Sequence, residues 1–327
     1  MNSISVVIPV YRAERTLRQL CHELHAELPT LSTSYEVIFV EDCGGDNSWQ
    51  VIQELVNQDS RVRGIRLSRN FGQHNALLCG IRQARNDVVI TMDDDMQHPV
   101  PEIKHLLAAL DDRTDVVYGA PAQQQHGFMR NMASRLTKIA LASAMGAETA
   151  RNVSAFRVFR TCLRDGFRDY RSPSVSIDVL LAWSTARFKA VKVTHAPRAV
   201  GTSGYTASRL MSHAFNLMTG FSTVPLQIAS IIGFAFVLVG IGVMAVVLIN
   251  YMVRGSAVPG FAFLASIITI FSGAQLFALG VFGEYLARMH FRSMDRPAFV
   301  VREMTGSENG GVVATGQRRR PPAVDNS

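Results

Sequence analysis

The chain has 327 residues, 33 Lys and Arg against 26 Asp and Glu, a formal charge of +7, and 48% hydrophobic residues. That length admits about two domains. The basic excess is not gathered on one arm or one aromatic-studded strip within the first 200 residues, so no nucleic-acid partner is expected and anionic lipid headgroups account for the charge more simply. Cys21, Cys43, Cys79 and Cys162 are scattered without a Cys-x-x-Cys pair, which argues against a disulfide scaffold or zinc site and for reduced thiols.

Ile4 to Val10 reads as a strand; it is too short for a signal-peptide core and contains Pro9, so no cleaved leader is expected. Glu14 to Leu28 places Leu17, Leu20, Cys21, Leu24 and Leu28 at helical spacing. Strand and helix then alternate. Tyr35 to Val40 is a strand, Ser48 to Asn57 a helix, Val62 to Leu67 a strand, Gln73 to Ala84 a helix and Asp87 to Met92 a strand. Pro99 to Leu110 follows as a helix opened by proline, and Val116 to Tyr118 as a further strand. Such alternation predicts an α/β fold, a mostly parallel Rossmann-like sheet covered on both faces, with ligands at the carboxyl ends of its strands. Pro9, Tyr11, Glu41, Asp42, Arg69, Asn70 and the run Asp93-Asp94-Asp95 all fall at those ends.

The acidic run is the sharpest chemical signal. If the extended chain persists past Met92, side-chain alternation points Asp93, Asp95 and Gln97 one way and Asp94 the other. Three oxygen donors of this kind suit Mg²⁺ or Mn²⁺, which share their remaining positions with water and substrate phosphates; a solvated acidic loop is the plainer alternative. No Gly-x-Gly-x-x-Gly follows the first strand and no Gly-Lys-Ser/Thr loop occurs, which disfavours a dinucleotide oxidoreductase or a P-loop enzyme. A diphosphate without a glycine cradle needs another source of positive charge, and a metal held by Asp93 and Asp95 supplies one.

The second half has a different character. Leu226 to Val253 and Gly255 to Gly283 each lack any charged side chain and exceed the roughly 20 apolar residues that cross a bilayer. They are expected to form an antiparallel transmembrane hairpin, with Pro259-Gly260 opening the second span. Arg209, Arg288, Arg292, Arg296 and Arg318-Arg319-Arg320 flank it, while the connecting loop carries only Arg254, so both ends should be cytoplasmic. Glu284 and Tyr285 read as an interfacial anchor. Phe128, Met132, Leu136, Ile139 and Ala140 recur at helical spacing among Arg130, Arg135 and Lys138, a pattern that suits a helix in the membrane interface or one packed on the sheet. Leu210, Ala214, Leu217, Met218 and Phe221 make a second stripe just before the first span. His74, His98, His105 and His126 are read as packing or surface residues, not general bases, and the tail after Glu303 as disordered.

Taken in order, Val7-Ile8-Pro9-Val10-Tyr11, Val40-Glu41-Asp42 with Asp46, Arg69-Asn70-Phe71-Gly72-Gln73 and Asp93-x-Asp95-x-Gln97-His98-Pro99 resemble the family 2 glycosyltransferases of GT-A fold. The closer likeness is to polyprenyl-phosphate glycosyltransferases, the group of dolichol-phosphate mannose synthases and undecaprenyl-phosphate glucosyl and aminoarabinosyl transferases, and it covers roughly residues 4 to 300. The resemblance implies inverting transfer of a sugar from a nucleotide-sugar to a polyprenyl phosphate at the cytosolic face of a bacterial inner membrane, and possible assembly of copies through the spans. By position it implies that Pro9, Tyr11, Asp42, Asp93 and Asp94 bind the donor nucleotide, and that Asp93, Asp95 and Gln97 hold the metal. Arg130 and Ser134, with Arg198 and Ser203, would bind the acceptor phosphate, and Asp95 and Arg130 are the expected catalytic residues. The implied layout is a GT-A domain over residues 1–205, an interfacial helix over 206–223, two spans over 224–288 and a cytosolic tail over 289–327. Three positions depart from the family pattern: Gly204 replaces a Lys, Ala120-Pro121-Ala122 replaces a stretch that often holds an Arg, and Arg151 and Asn152 stand where an acidic residue is common. Rival readings are a processive polysaccharide synthase, which should carry a Gln-x-x-Arg-Trp motif absent here, and a membrane-anchored sugar-nucleotide binder without turnover.

Overall fold

The computed structural model describes residues 3–121, 152–173, 175–194, 224–254, 260–294 and 296–306. The chain divides into two compact units, one of residues 1–125, 151–204 and 296–327, the other of residues 126–150 and 205–295.

The first unit is built on eight strands: β1 (Ile4–Val10), β2 (Tyr35–Glu41), β3 (Val62–Leu67), β4 (Val88–Thr91), β5 (Val116–Pro121), β6 (Arg157–Arg160), β7 (Phe188–Val193) and β8 (Val301–Thr305). They form one sheet in the order β7-β5-β6-β4-β1-β2-β3-β8. The central β4-β1-β2-β3 set is parallel, whereas β6 and β8 run against their neighbours. Strands β1, β2 and β4 are buried along their whole length, as expected where helices cover both faces of a sheet.

Alternation along the strands divides the core in two. Ile4, Val6, Ile8 and Val10 of β1 pack with α1 (Leu17–Leu31), α2 (Ser48–Gln58) and α4 (Ile103–Ala109) on one face. Val7, with Ile38 and Val40 of β2, packs on the other face against α3 (Gln73–Gln83) and α5 (Ile177–Ser184). Gly80 of α3 is required there: a Cβ would meet Val7 Cγ1 at 2.4 Å, so the helix can lie this close only without a side chain at that position.

The expected β/α alternation is present, with three differences. The proline-opened helix begins as a 3₁₀ turn over Val100–Glu102 and becomes α-helical only at Ile103, because Pro101 and the residue before it disfavour regular α geometry. Strand β4 stops at Thr91. The chain beyond Glu303 does not become irregular at once, because β8 continues to Thr305 and pairs antiparallel with β3. Strand β8 satisfies an edge that would otherwise expose unpaired backbone groups.

In the second unit, α6 (Val224–Arg254) and α7 (Phe261–Ser293) carry apolar stretches over Pro225–Val246 and Ile270–Ala287, of which 6% and 0% are buried. Ile231, Phe234 and Leu276 are about two-thirds exposed. A helix apolar all round and left uncovered belongs in an apolar solvent, not in a protein core. The two helices meet where Phe236 and Phe271 pack edge to face at 5.5 Å, beside Gly240, whose missing side chain admits the Phe271 ring.

Candidate active site

The carboxyl ends of β1, β2, β3 and β4 converge, and hydrogen bonds between residues far apart in sequence tie them together. After β1, the Tyr11 backbone N–H donates to Asp94 Oδ2 at 3.0 Å, which links the loops after β1 and β4. After β2, Asp42 is buried and accepts the backbone N–H groups of Phe71 at 2.7 Å and Gly72 at 2.8 Å, which fixes the loop after β3. Gln73, opening α3, donates its side-chain amide to Asp93 Oδ1 at 2.7 Å.

The loops after β1 and β2 are locked against each other. Arg12 Nε donates to the Gly44 carbonyl at 2.9 Å, Ala13 N–H to Ser48 Oγ at 3.0 Å, and Glu14 N–H to Asp46 Oδ2 at 3.3 Å. A Cβ on Gly44 would lie 2.8 Å from the Arg12 backbone nitrogen, so glycine is needed for this approach.

Among the described residues, the non-glycine residues with positive φ are Arg12 at 57°, Cys43 at 54° and Met96 at 63°. They follow β1, β2 and β4 respectively. Each such conformation costs on the order of 1 kcal/mol for a residue with a side chain. Their clustering at one end of the sheet marks a surface held in shape by its surroundings, which is where strained backbone accompanies function.

The turn at Met96 changes how the acidic run is presented. The chain leaves the extended conformation after β4 and turns over Asp94–Met96, so strand alternation does not place Asp93, Asp95 and Gln97. The strand does not persist beyond Thr91, and the loop geometry takes the place of alternation. Asp94 is drawn in toward Tyr11, and burial pushes its carboxyl up to about 7, with the Tyr11 N–H working in the opposite direction. Asp93 stands by Gln73, and Asp95 Oδ1 accepts the Gln97 backbone N–H at 3.1 Å.

Among the described residues no three His, Cys, Asp or Glu side chains converge as a protein-only metal cage. With Asp94 engaged by Tyr11, the run offers two carboxylates and an amide, all oxygen donors. That donor set fits Mg²⁺ or Mn²⁺ in the manner that relies on one or two carboxylates and completes the shell with water and substrate phosphate.

Of the other expected site residues, Pro9 lies within β1 and Tyr11 is 46% exposed at its end. Arg130, Ser134, Arg198 and Ser203, and both amphipathic stripes, lie outside the described residues. His98 is buried and stacks on Phe156 at 5.2 Å, His105 pairs with Glu102 at 2.7 Å, and His74 accepts the Ile177 N–H at 3.3 Å. The ring stacking of His98 and the His74–Ile177 hydrogen bond are contacts within the scaffold.

Sequence reasoning missed two features. The first is a buried ion pair beside β4: Arg157 of β6 pairs with Asp178 of α5, donates from Nε to Thr91 Oγ1 at 3.0 Å, and shares Asp178 with the Tyr118 hydroxyl at 3.0 Å. A charge inside the short apolar strand Arg157–Arg160 was the available signal. Burial, followed by the charge of Asp178, pushes the Tyr118 hydroxyl well above its ordinary value, so it stays a proton donor to Asp178. The second is a pair of exposed arginines over aromatic faces, Arg12 on Tyr11 at 5.3 Å and Arg69 on Phe71 at 4.5 Å, which put cations at the ends of β1 and β3.

Comparison with known proteins bears on this arrangement. The family model described as Glycosyl transferase family 2 matches residues 5–168. An undecaprenyl-phosphate 4-deoxy-4-formamido-L-arabinose transferase of Proteus mirabilis is 32% identical over 309 residues, covering 94% of this chain and 95% of the relative. The protein of the same description from Pseudomonas fluorescens is 33% identical over 307 residues, covering 93% and 90%. Among solved structures, glucosyl-3-phosphoglycerate synthase of M. tuberculosis superposes with a TM-score of 0.49 and 15% identity, covering 67% of this chain and 78% of that one.

Proposed function

The chain belongs to glycosyltransferase family 2, and on that footing we propose that it moves a sugar from a nucleotide-sugar to the phosphate of a polyprenyl lipid, undecaprenyl or decaprenyl phosphate. The product would be a lipid-linked sugar made at the cytosolic face of a bacterial inner membrane for cell-envelope glycan modification. The observation that carries this reading is the tied, strained surface at the ends of β1 to β4, with Asp93 and Asp95 at its β4 edge, in a chain that also bears two uncovered apolar helices. Full-length relatives with polyprenyl-phosphate transferase names support the acceptor class.

The donor's nucleoside lies against Pro9 and Tyr11, with Asp42 shaping the pocket by holding the Phe71–Gly72 backbone and Asp94 holding Tyr11. Asp93, Asp95 and Gln97 hold the divalent cation, which when bound offsets negative charge on the departing diphosphate. Arg130 and Ser134, with Arg198 and Ser203, grip the acceptor phosphate through charge-assisted hydrogen bonds. A phosphate monoester is already anionic near neutral pH, so it needs positioning and not a general base. One of its oxygens attacks the anomeric carbon opposite the leaving group. The bond from that carbon to the diphosphate oxygen breaks, the electron pair leaves with the nucleoside diphosphate, and the configuration inverts.

The domain layout follows from the same reading: a cytosolic catalytic domain over 1–205, an interfacial helix over 206–223, spans within 224–288 and a cytosolic tail over 289–327. Strand β8 rejoins the sheet that β1 to β7 build. A chain that leaves and re-enters one domain must cross a membrane an even number of times, and two spans satisfy this.

The test incubates purified full-length protein with radiolabelled nucleotide sugars, polyprenyl phosphate and Mg²⁺, then extracts lipid. Label should enter the lipid phase, and both EDTA and Asp95→Asn should reduce it by roughly a hundredfold or more. Donor binding without lipid product would make the protein a binder, and aqueous polymer would make it a processive synthase. Undiminished transfer in EDTA would remove the metal from the mechanism.

A further inference from the structure

Glu102 stands where the chain leaves the acidic run and enters α4, seven residues beyond Asp95. It is the N-cap of that helix, a position that favours a short Ser, Thr, Asp or Asn able to accept the helix's own first N–H groups. The Glu102 side chain makes no such bond. It turns instead to the end of β7, where Oε1 accepts the backbone N–H of Thr194 at 3.2 Å and the Thr194 hydroxyl, while Oε2 lies 2.7 Å from His105 Nδ1. The side chain is only 14% exposed. Burial works to raise its carboxyl, but the bonds from Thr194 and His105 outweigh it and hold the group below its ordinary value, so at neutral pH it takes these contacts as an anion.

Thr194 is the residue that follows β7. That strand stands at one end of the sheet and has β5 as its parallel neighbour. Strand β5 runs against β6, and β6 against β4, so β7 ends on the same side of the sheet as β4 and the acidic run. The end of an edge strand has a neighbour on one side alone. Here it is fixed by a carboxylate 92 residues away in sequence. The next four residues lead to Arg198, a span of at most about 14 Å. Glu102 thereby joins the loop that carries Asp93 and Asp95 to the start of the segment that carries Arg198 and Ser203.

We propose that Glu102 is a positioning residue for the lipid phosphate: by holding Thr194 it sets where the segment bearing Arg198 and Ser203 departs from the sheet, and so registers the acceptor's phosphate against the donor's diphosphate. A short polar cap would serve α4 as well but would not reach β7. Transfer between two bound groups is sensitive to a misplacement of about 1 Å, and a tether between the loops that carry them limits such error. This inference rests on the reading of Arg198 and Ser203 as acceptor contacts and adds the residue that fixes their register.

The test is calorimetric titration of the full-length protein in detergent with farnesyl phosphate, a soluble polyprenyl phosphate, and separately with UDP, GDP, CDP and ADP in Mg²⁺, the tightest of the four being carried to the variants. Glu102→Ala should weaken farnesyl phosphate roughly tenfold while nucleotide affinity stays within about twofold. Glu102→Gln, whose amide oxygen can still accept from Thr194, should keep farnesyl phosphate affinity within about threefold of wild type. Thr194→Val removes the hydroxyl and leaves the N–H, so it should give an intermediate loss, and it serves as the test should Glu102→Ala not fold. Arg198→Ala reports on the acceptor site itself. Equal proportionate loss of nucleotide and farnesyl phosphate in Glu102→Ala would make the residue a general prop of the fold and overturn the proposal. Wild-type farnesyl phosphate affinity in Glu102→Ala, or in Thr194→Val in its place, would overturn it while a loss in Arg198→Ala kept the acceptor reading intact. If Arg198→Ala binds farnesyl phosphate as wild type does, or wild type does not bind it, the acceptor reading falls and the proposal with it.

Discussion

Replacing Asp178 by alanine should destabilise the first unit far more than removing both members of its ion pair. Arg157 and Asp178 are 2% and 7% exposed at their side chains, so Asp178→Ala leaves a guanidinium in a dry site with Thr91 Oγ1 and the Tyr118 ring as its remaining side-chain partners among the described residues and takes the carboxylate from the Tyr118 hydroxyl. Breaking one side of a buried pair costs about 3–5 kcal/mol. At about 2–4 °C per kcal/mol for a domain of this size, the melting temperature should fall by roughly 6–20 °C. The double variant Arg157→Met with Asp178→Leu removes both charges and fills similar volume, and should recover most of that loss. The assay is thermal unfolding of detergent-solubilised full-length protein followed by the near-ultraviolet signal of the sheet's aromatic residues. Equal destabilisation of single and double variants would show that packing and not charge compensation holds this corner. A single variant within 2 °C of wild type would show that the cation reaches water, and that the pair is not desolvated as its geometry requires.

Asp42→Asn should raise the dissociation constant for the donor nucleotide with little change in fold, because an amide nitrogen placed toward the Phe71 or Gly72 N–H loses one of two charge-assisted bonds, worth about 1.5–3 kcal/mol. Unchanged nucleotide affinity in the same calorimetric titration would show that the loop after β3 holds its shape without that carboxylate. Asp59 supplies a pH prediction remote from the site. Hydrogen bonds from Arg61, foremost, with His25 at 2.8 Å, hold its carboxyl down to about 2. A depressed folded-state pKa means that the unfolded chain binds the proton first, so the stabilisation is complete above the ordinary value of 3.8 and is lost as the pH falls from there through about 2. Asp59→Asn should flatten the melting temperature's decline over that interval relative to wild type; parallel declines would refute the assignment.

Much of the fold is local and therefore legible in the chain. Apolar spacing of 3.6 and runs of β-branched residues mark β1 to β5 and the first helices to within a few residues, and the two long uncharged stretches mark α6 and α7, because periodicity and length express burial directly. The acidic run could be placed at a strand end on the same grounds. Three-dimensional contact decided the rest. Asp42 meets Phe71 and Gly72 across about thirty residues and Asp94 meets Tyr11 across 83, so no sequence window contains both partners. The positive φ values of Arg12, Cys43 and Met96 oppose local preference and exist because neighbouring loops impose them. Strands β6 and β8 are short, carry charged residues, and become strands only because an open sheet edge or a gap beside β4 offers them backbone partners. Local propensity thus wrote the order of the elements, while long-range hydrogen bonding and burial chose which carboxylates remain partly exposed at the strand ends, as Asp93 and Asp95 do, and which, like Asp42 and Asp178, are buried in the scaffold.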